Sequence, residues 1–314
     1  MKPRVLASTI IKSLSTFPAV VVTGPRQSGK TTLLQSLLQG SHNYVSLENP
    51  DIRIRAKEDP IAFLSAYPTP VIIDEIQYVP ELLSYIKTRI DEHRAPGQWV
   101  LTSSQLFPLM AGVSQSLAGR AAVLNLFPFS FAEGQGDAPR ARDLPVWLAE
   151  LSKLSSSIAP DDLPAVILRG FYPEMVSNRK IDRELWCSSY ISTYLERDVR
   201  QMAQLGDLSQ FERFVKLCAI RTGQQFHGAE MARDIGVSLP TVKRWLSLLE
   251  AAGQVILLQP YYRNLGKRLV KSPKLYFTDT ALATYLMGIH EVTTLQNSPH
   301  YGALFETMIV VDMF

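Results

Sequence analysis

Nothing in this 314-residue sequence restricts its fold as much as Gly24-Pro25-Arg26-Gln27-Ser28-Gly29-Lys30-Thr31, which has the spacing G-x-x-x-x-G-K-[ST]. An apolar, β-branched run, Ala19 to Thr23, precedes it, and Lys30 to Leu38, with apolar residues at helical spacing, follows. The glycines let the backbone curl until its N–H groups face one point, and the positive end of the following helix strengthens the field there. Such a loop predicts a phosphate ligand. Residues Gly24 to Thr32 would wrap the phosphates of ATP, Lys30 would reach the β- and γ-phosphates, and the Thr31 hydroxyl would ligate Mg2+.

Four more short runs continue the pattern: Tyr44 to Leu47, Val71 to Asp74, Trp99 to Thr102 and Ala121 to Leu126. Helical patterns such as Glu81 to Glu92 lie between them, so the order is strand, helix, strand. This predicts an α/β fold, a P-loop NTPase with a doubly wound parallel sheet, over residues 1–135. With 314 residues, 46% of them hydrophobic and 19% charged, the chain is globular and longer than one core usually organises. The texture changes between Gly134 and Pro164, where prolines stand at 139, 145, 160 and 164, and a helical connector is expected over 136–205. Its helix Asp182 to Leu205 would carry a Glu196–Arg200 pair at i, i+4 spacing.

Hydrolysis needs a carboxylate at the end of a neighbouring strand. Asp74 ends Val71-Ile72-Ile73, placed to hold Mg2+ through water, and Glu75 beside it could polarise the attacking water. An N-cap Asp and a solvated Glu opening a helix would look the same in isolation. After the strand Trp99 to Thr102 come Ser103-Ser104-Gln105, at the sheet edge where ligands bind; Ser104 could sense the γ-phosphate, or cap a helix. Arg120 could stabilise transition-state charge in cis or across the interface of a homo-oligomer, or cap the preceding helix.

In the second half, Met231 to Ser238 and then Leu239 to Ala252 read as a helix-turn-helix. Ala232 permits close approach, Gly236 suits a left-handed turn, Ser238 can N-cap, and Val242, Trp245, Leu246 and Leu249 form a buried stripe. Strands Val255 to Leu258 and Lys274 to Phe277 would make a wing, so a winged-helix domain is expected over 206–290. Lys243, Arg244, Arg263, Lys267, Arg268 and Lys271 are candidate contacts to duplex DNA phosphates. The same fold could instead pack against a protein partner or sense the nucleotide, with these cations solvated. The net charge of +3 fits a nucleic-acid partner without requiring one.

Taken together, the motif at Gly24 to Thr32, Val71-Ile72-Ile73-Asp74-Glu75-Ile76-Gln77, Leu101-Thr102-Ser103-Ser104 and Ser116-Leu117-Ala118-Gly119-Arg120 resemble a prokaryotic family of AAA-type ATPases. Arg169-Gly170-Phe171-Tyr172-Pro173-Glu174, Tyr194 to Val199 and Lys271 to Asp279 look like that family's second half, a domain of unknown function. The resemblance implies a glycine where Ser103 stands. It also implies a restriction-endonuclease-like domain after a segment like Gly302-Ala303-Leu304-Phe305-Glu306, so residues 291–314 would begin a truncated C-terminal domain. Cys187 and Cys218 lack metal-ligand spacing and read as buried thiols, and His227, His290 and His300 read as structural or exposed. No apolar run approaches the ~18 residues that span a bilayer, and a cytoplasmic location with no membrane partner is expected.

Overall fold

Five parallel strands form the sheet of the N-terminal half: β1 (Ala19–Thr23), β2 (Asn43–Ser46), β3 (Val71–Asp74), β4 (Trp99–Ser103) and β5 (Ala121–Asn125), in the order β2-β3-β4-β1-β5. The computed structural model describes residues 2–104, 116–136, 162–195, 208–261 and 272–313. Strands β1, β3 and β4 are buried along their whole length, which is why they read as continuous apolar runs without alternation. The pleat sorts their side chains between two cores. Val21, Ile73 and Leu101 pack with Leu82, Ile86 and Ile90 of α5 (Leu82–Glu92). Val20, Val22, Ile72 and Val100 pack with Ile10 of α1 (Leu6–Leu14) and with Leu33, Leu34 and Leu38 of α2 (Lys30–Leu38). This is the doubly wound P-loop NTPase-like sheet.

Two helices without a strong apolar stripe, α3 (Pro50–Glu58) and α4 (Pro60–Ala66), follow β2. Their signal is at the start. Each has Pro in its first turn behind an acceptor cap, Asn49 taking the Asp51 N–H and Asp59 the Ala62 N–H.

The chain divides into two compact units, Met1–Phe127 with Gln135–Asp143, and Pro128–Gly134 with Leu144–Phe314. The described elements of the second are α6 (Phe131–Gln135), α7 (Leu163–Arg169), α8 (Pro173–Ser177), α9 (Arg183–Tyr190), a π turn Ile191–Leu195, and α10 (Leu208–Ile220). Then come β6 (Gln224–Gln225), α11 (Gly228–Ile235), α12 (Leu239–Ala251), β7 (Val255–Leu258), β8 (Lys274–Phe277), α13 (Thr280–Leu286), α14 (Val292–Gln296) and α15 (Tyr301–Asp312). A three-stranded antiparallel sheet has the order β6-β8-β7. Gly236, at φ 81°, closes α11, and the Ser238 side chain caps α12 at the Thr241 N–H, so both turn residues act as their types require.

One hydrophobic core runs through this unit, from Phe129 and Ile167 through Tyr190, Phe214, Trp245 and Phe277 to Leu304 and Met308. The divisions expected at 205/206 and 290/291 are therefore not breaks in packing. Helices assigned to a connector bury their apolar faces with those of the following segments, because α7, α9, α13 and α15 are too short to bury such faces alone. Glu196, Arg200 and the segment 262–271 lie outside the described residues. Among the described residues no helix is long and apolar enough to cross a membrane.

Candidate active site

The loop from β1 to α2 is built by left-handed backbone. Gly24 has φ 145°, Gln27 61° and Gly29 91°. At Gly24 a Cβ would lie 2.1 Å from the Leu126 carbonyl oxygen, so the close passage of the chain after β5 excludes any side chain there. Gly29 caps α2 and has no side chain to bond that helix end, which leaves the first N–H groups of α2 for a ligand of the loop. From behind, Arg4 braces the loop, donating to the Ser28 carbonyl at 3.2 Å and the Phe127 carbonyl at 2.5 Å.

Lys30 is buried, and its Nζ donates to the loop carbonyls of Gly24 at 3.0 Å and Pro25 at 2.9 Å. Burial pushes its ammonium down to about 8; Glu75 and Asp74 pull the value back up, and Arg26 adds to the depression. The Ser28 hydroxyl is buried with no hydrogen-bond partner among the described residues. Thr32, on the first turn of α2, is exposed.

Asp74 ends β3, buried, and its carboxylate ties three elements together. Oδ1 accepts from the Thr31 hydroxyl at 2.9 Å and the Thr102 hydroxyl at 2.7 Å, and Oδ2 from the Tyr44 hydroxyl at 3.1 Å. Thr102 also accepts the Glu75 N–H at 2.8 Å. Glu75 is left-handed, with φ 57°, and its Oε2 accepts from the Ser104 N–H at 3.2 Å, the Ser104 hydroxyl at 2.8 Å and the Gln77 amide. The structure thus brings Lys30, Thr31, Asp74, Glu75 and Ser104 to one edge of the sheet. An ammonium, a hydroxyl and a carboxylate beside an open helix end fit a nucleotide with Mg2+, whose preferred ligands are hard oxygens.

Arg120 is not brought there. It precedes β5, and its carbonyl accepts the Ala19 N–H at 3.2 Å, at the amino edge of the sheet. Parallel pairing of Ala19 with Ala121 and Thr23 with Asn125 leaves the five residues of β5, roughly 16 Å, between it and the loop. Its guanidinium grips Asp91 at 2.6 and 2.9 Å. Of the candidate DNA contacts, Lys243 and Arg244 are exposed on α12, while Arg263, Lys267, Arg268 and Lys271 lie outside the described residues. Lys274, in the same basic stretch, pairs with Glu306 at 2.7 Å.

Three residues that sequence reasoning did not single out also reach the site. Tyr44 and Thr102 hold Asp74, and the carboxyl of Glu48, just past β2, is raised by burial and then by Glu75 and Asp74. The available signal is positional: each lies in or just past a strand whose end forms the ligand edge.

Residues 16–134 match the AAA domain family, and residues 160–293 match a domain of unknown function. Uncharacterized proteins of Mycobacterium bovis and Mycobacterium tuberculosis are each 31% identical over 309 residues, covering 98% of this chain and 64% of theirs. The chain thus spans less than two thirds of these relatives. A Walker-type ATPase of Pyrococcus abyssi superposes with a TM-score of 0.57 at 15% identity, over 89% of this chain and 94% of that one, a likeness of fold. The AAA match and the fold support a nucleotide-binding ATPase domain.

Proposed function

We propose that the chain binds Mg-ATP at Gly24 to Thr32 and hydrolyses it, with Glu75 as general base. The observation that carries this reading is the meeting of α2 and β3, with Thr31 and Asp74 2.9 Å apart and Lys30 buried beside them. Lys30 would exchange its loop carbonyls for the β- and γ-phosphates, while Thr31 and, through water, Asp74 would hold Mg2+. When bound, the ion neutralises charge developing on the phosphates. Glu75 accepts a proton from a water as its oxygen attacks the γ-phosphorus; the bond to the β,γ-bridging oxygen breaks and its electron pair leaves with ADP. Ser104, hydrogen-bonded to Glu75, is placed to link γ-phosphate sensing to the base. For Arg120, its position at the far edge favours a role across a homo-oligomer interface.

Lys30→Ala should abolish hydrolysis, and Glu75→Gln should lower kcat about a hundredfold or more while ATP binding persists. Unchanged turnover in both would overturn the mechanism.

For the second unit we propose a winged helix that engages duplex DNA as the nucleotide state switches. The helix pair α11–α12, the antiparallel β7–β8 pair and the exposed Lys243 and Arg244 support this. If all six candidate cations contact phosphates, affinity for random duplex should fall about a thousandfold between 50 and 200 mM salt, read by fluorescence anisotropy. No binding at low salt would favour a nucleotide-regulated module for a protein partner.

A further inference from the structure

Glu75 leaves β3 in a left-handed conformation, and the 3-10 turn Ile76–Tyr78 follows at once. That reversal folds the Gln77 side chain back onto the carboxylate it has just passed. Its Nε2 donates to Glu75 Oε2 and, at 3.2 Å, to Ser104 Oγ, whose own hydroxyl donates to Glu75 Oε2 at 2.8 Å. The two N–H bonds of the amide are therefore both used. Its Oε1 is different: it is buried and has no hydrogen-bond partner among the described residues. Rotating the amide would not help, because Oε1 would then face a carboxylate oxygen. A buried acceptor without a donor is a burden that a thioether of the same length would not carry. Every donor described on Glu75 meets Oε2, so its Oε1 carries none of these bonds.

We infer that Gln77 is a positioning residue for the attacking water. Its Nε2, with Ser104, fixes the Glu75 carboxylate, and its Oε1 accepts one hydrogen of the water while Glu75 takes the other. A water held by two acceptors presents its lone pair in one direction, which is the orientation that in-line attack on phosphorus needs. This inference rests on the hydrolytic reading of the site.

The test uses the full chain and Gln77→Met, which keeps length and removes both donor and acceptor. The expected result is a kcat at least about tenfold lower, KM for ATP and affinity for a fluorescent ATP analogue within about twofold, and a melting temperature of the nucleotide-free protein no lower than the parent's. A purely structural Gln77 gives the reverse, a lower melting temperature with kcat kept, and overturns the inference. Weakened analogue binding in step with kcat overturns it as well. The double variant Glu75→Gln/Gln77→Met should turn over no more slowly than Glu75→Gln, because Gln77 acts through the same water; additive losses would refute that coupling. If the parent does not hydrolyse ATP, the ATPase reading itself fails; if the parent turns over and Glu75→Gln is slow while Gln77→Met is not, only this inference does.

Discussion

The two units bury polar groups for different ends. In the N-terminal unit Ser28, Lys30, Asp74, Glu75, Thr102, Ser103 and Ser104 are all buried and collect at the carboxyl edge of the sheet, where Asp74 and Glu75 bond chiefly to other side chains. In the second unit several buried polar groups bond instead to backbone far away in sequence. Thr280 donates to the Ile167 carbonyl at 2.6 Å, Thr278 to that of Gly253 at 2.7 Å, and Asp279 accepts the Phe171 N–H at 2.7 Å. Side-chain networks can be re-partnered when a ligand arrives, whereas side-chain-to-backbone bonds fix where segments lie. The first arrangement makes a site and the second a seam.

Breaking the seam should have the largest effect. Burial pushes the Asp279 carboxyl above its usual range, and the N–H groups of Phe171, Leu282 and Ala281 pull it back. Asp279→Ala would leave the Phe171 and Leu282 N–H groups buried without acceptors, so the second unit should lose about 3–5 kcal/mol in denaturant unfolding. Affinity for a fluorescent ATP analogue should stay unchanged. A loss below about 1 kcal/mol would remove Asp279 from the seam.

The seam also explains what the sequence could and could not reveal. The phosphate loop was legible because its spacing encodes local backbone geometry, and Asp74 and Glu75 because they end a strand. Thr102, Tyr44 and Gln77 were not, since their contacts depend on strand register and on the turn at Glu75. The place of Arg120 is legible as well: it precedes β5, and in a parallel sheet that puts it at the edge opposite the loop. In the second half, Arg169 to Glu174 and Lys271 to Asp279 stood out as motifs without a role. Gly170 has no room for a Cβ, which would lie 2.6 Å from that of Ala281, and Arg169 donates to the carbonyls of Met175, Asn178 and Ile181. The described parts of those motifs hold the seam together, a role that appears only once segments 108 residues apart meet.

Asp312 gives a smaller, pH-dependent test of the seam. Its Oδ1 accepts the Phe131 N–H at 2.6 Å; burial pushes its carboxyl up to about 6, the N–H pulls it down, and Glu133 pushes it further up. The folded value lies above the unfolded one, so ionised Asp312 destabilises the second unit above pH 6, and that cost lifts as the pH falls toward 4. The span is about 2–3 kcal/mol. Asp312→Asn keeps an acceptor without the charge, so it should raise stability at pH 7.5 and flatten the profile down to pH 5. A profile as steep as the parent's would place the titration elsewhere.

The smallest expected effect runs the opposite way with pH, and it sharpens the contrast most. Lys30 is depressed from 10.5 to about 8 because the fold holds its ammonium in a buried place. At pH 7 the folded chain carries that charge at a cost, which falls as pH rises above 8 and vanishes near the unfolded value. Lys30→Met removes the charge and also the bonds to the Gly24 and Pro25 carbonyls, which offsets part of the gain. The nucleotide-free N-terminal unit should therefore gain about 1–2 kcal/mol at pH 7, shrinking by pH 9, while ATP hydrolysis is lost. In the seam, deleting a buried polar group should weaken the fold; in the site it should strengthen the fold and remove the activity. A stability loss in Lys30→Met as large as that in Asp279→Ala would mean that both units bury polarity for the same reason.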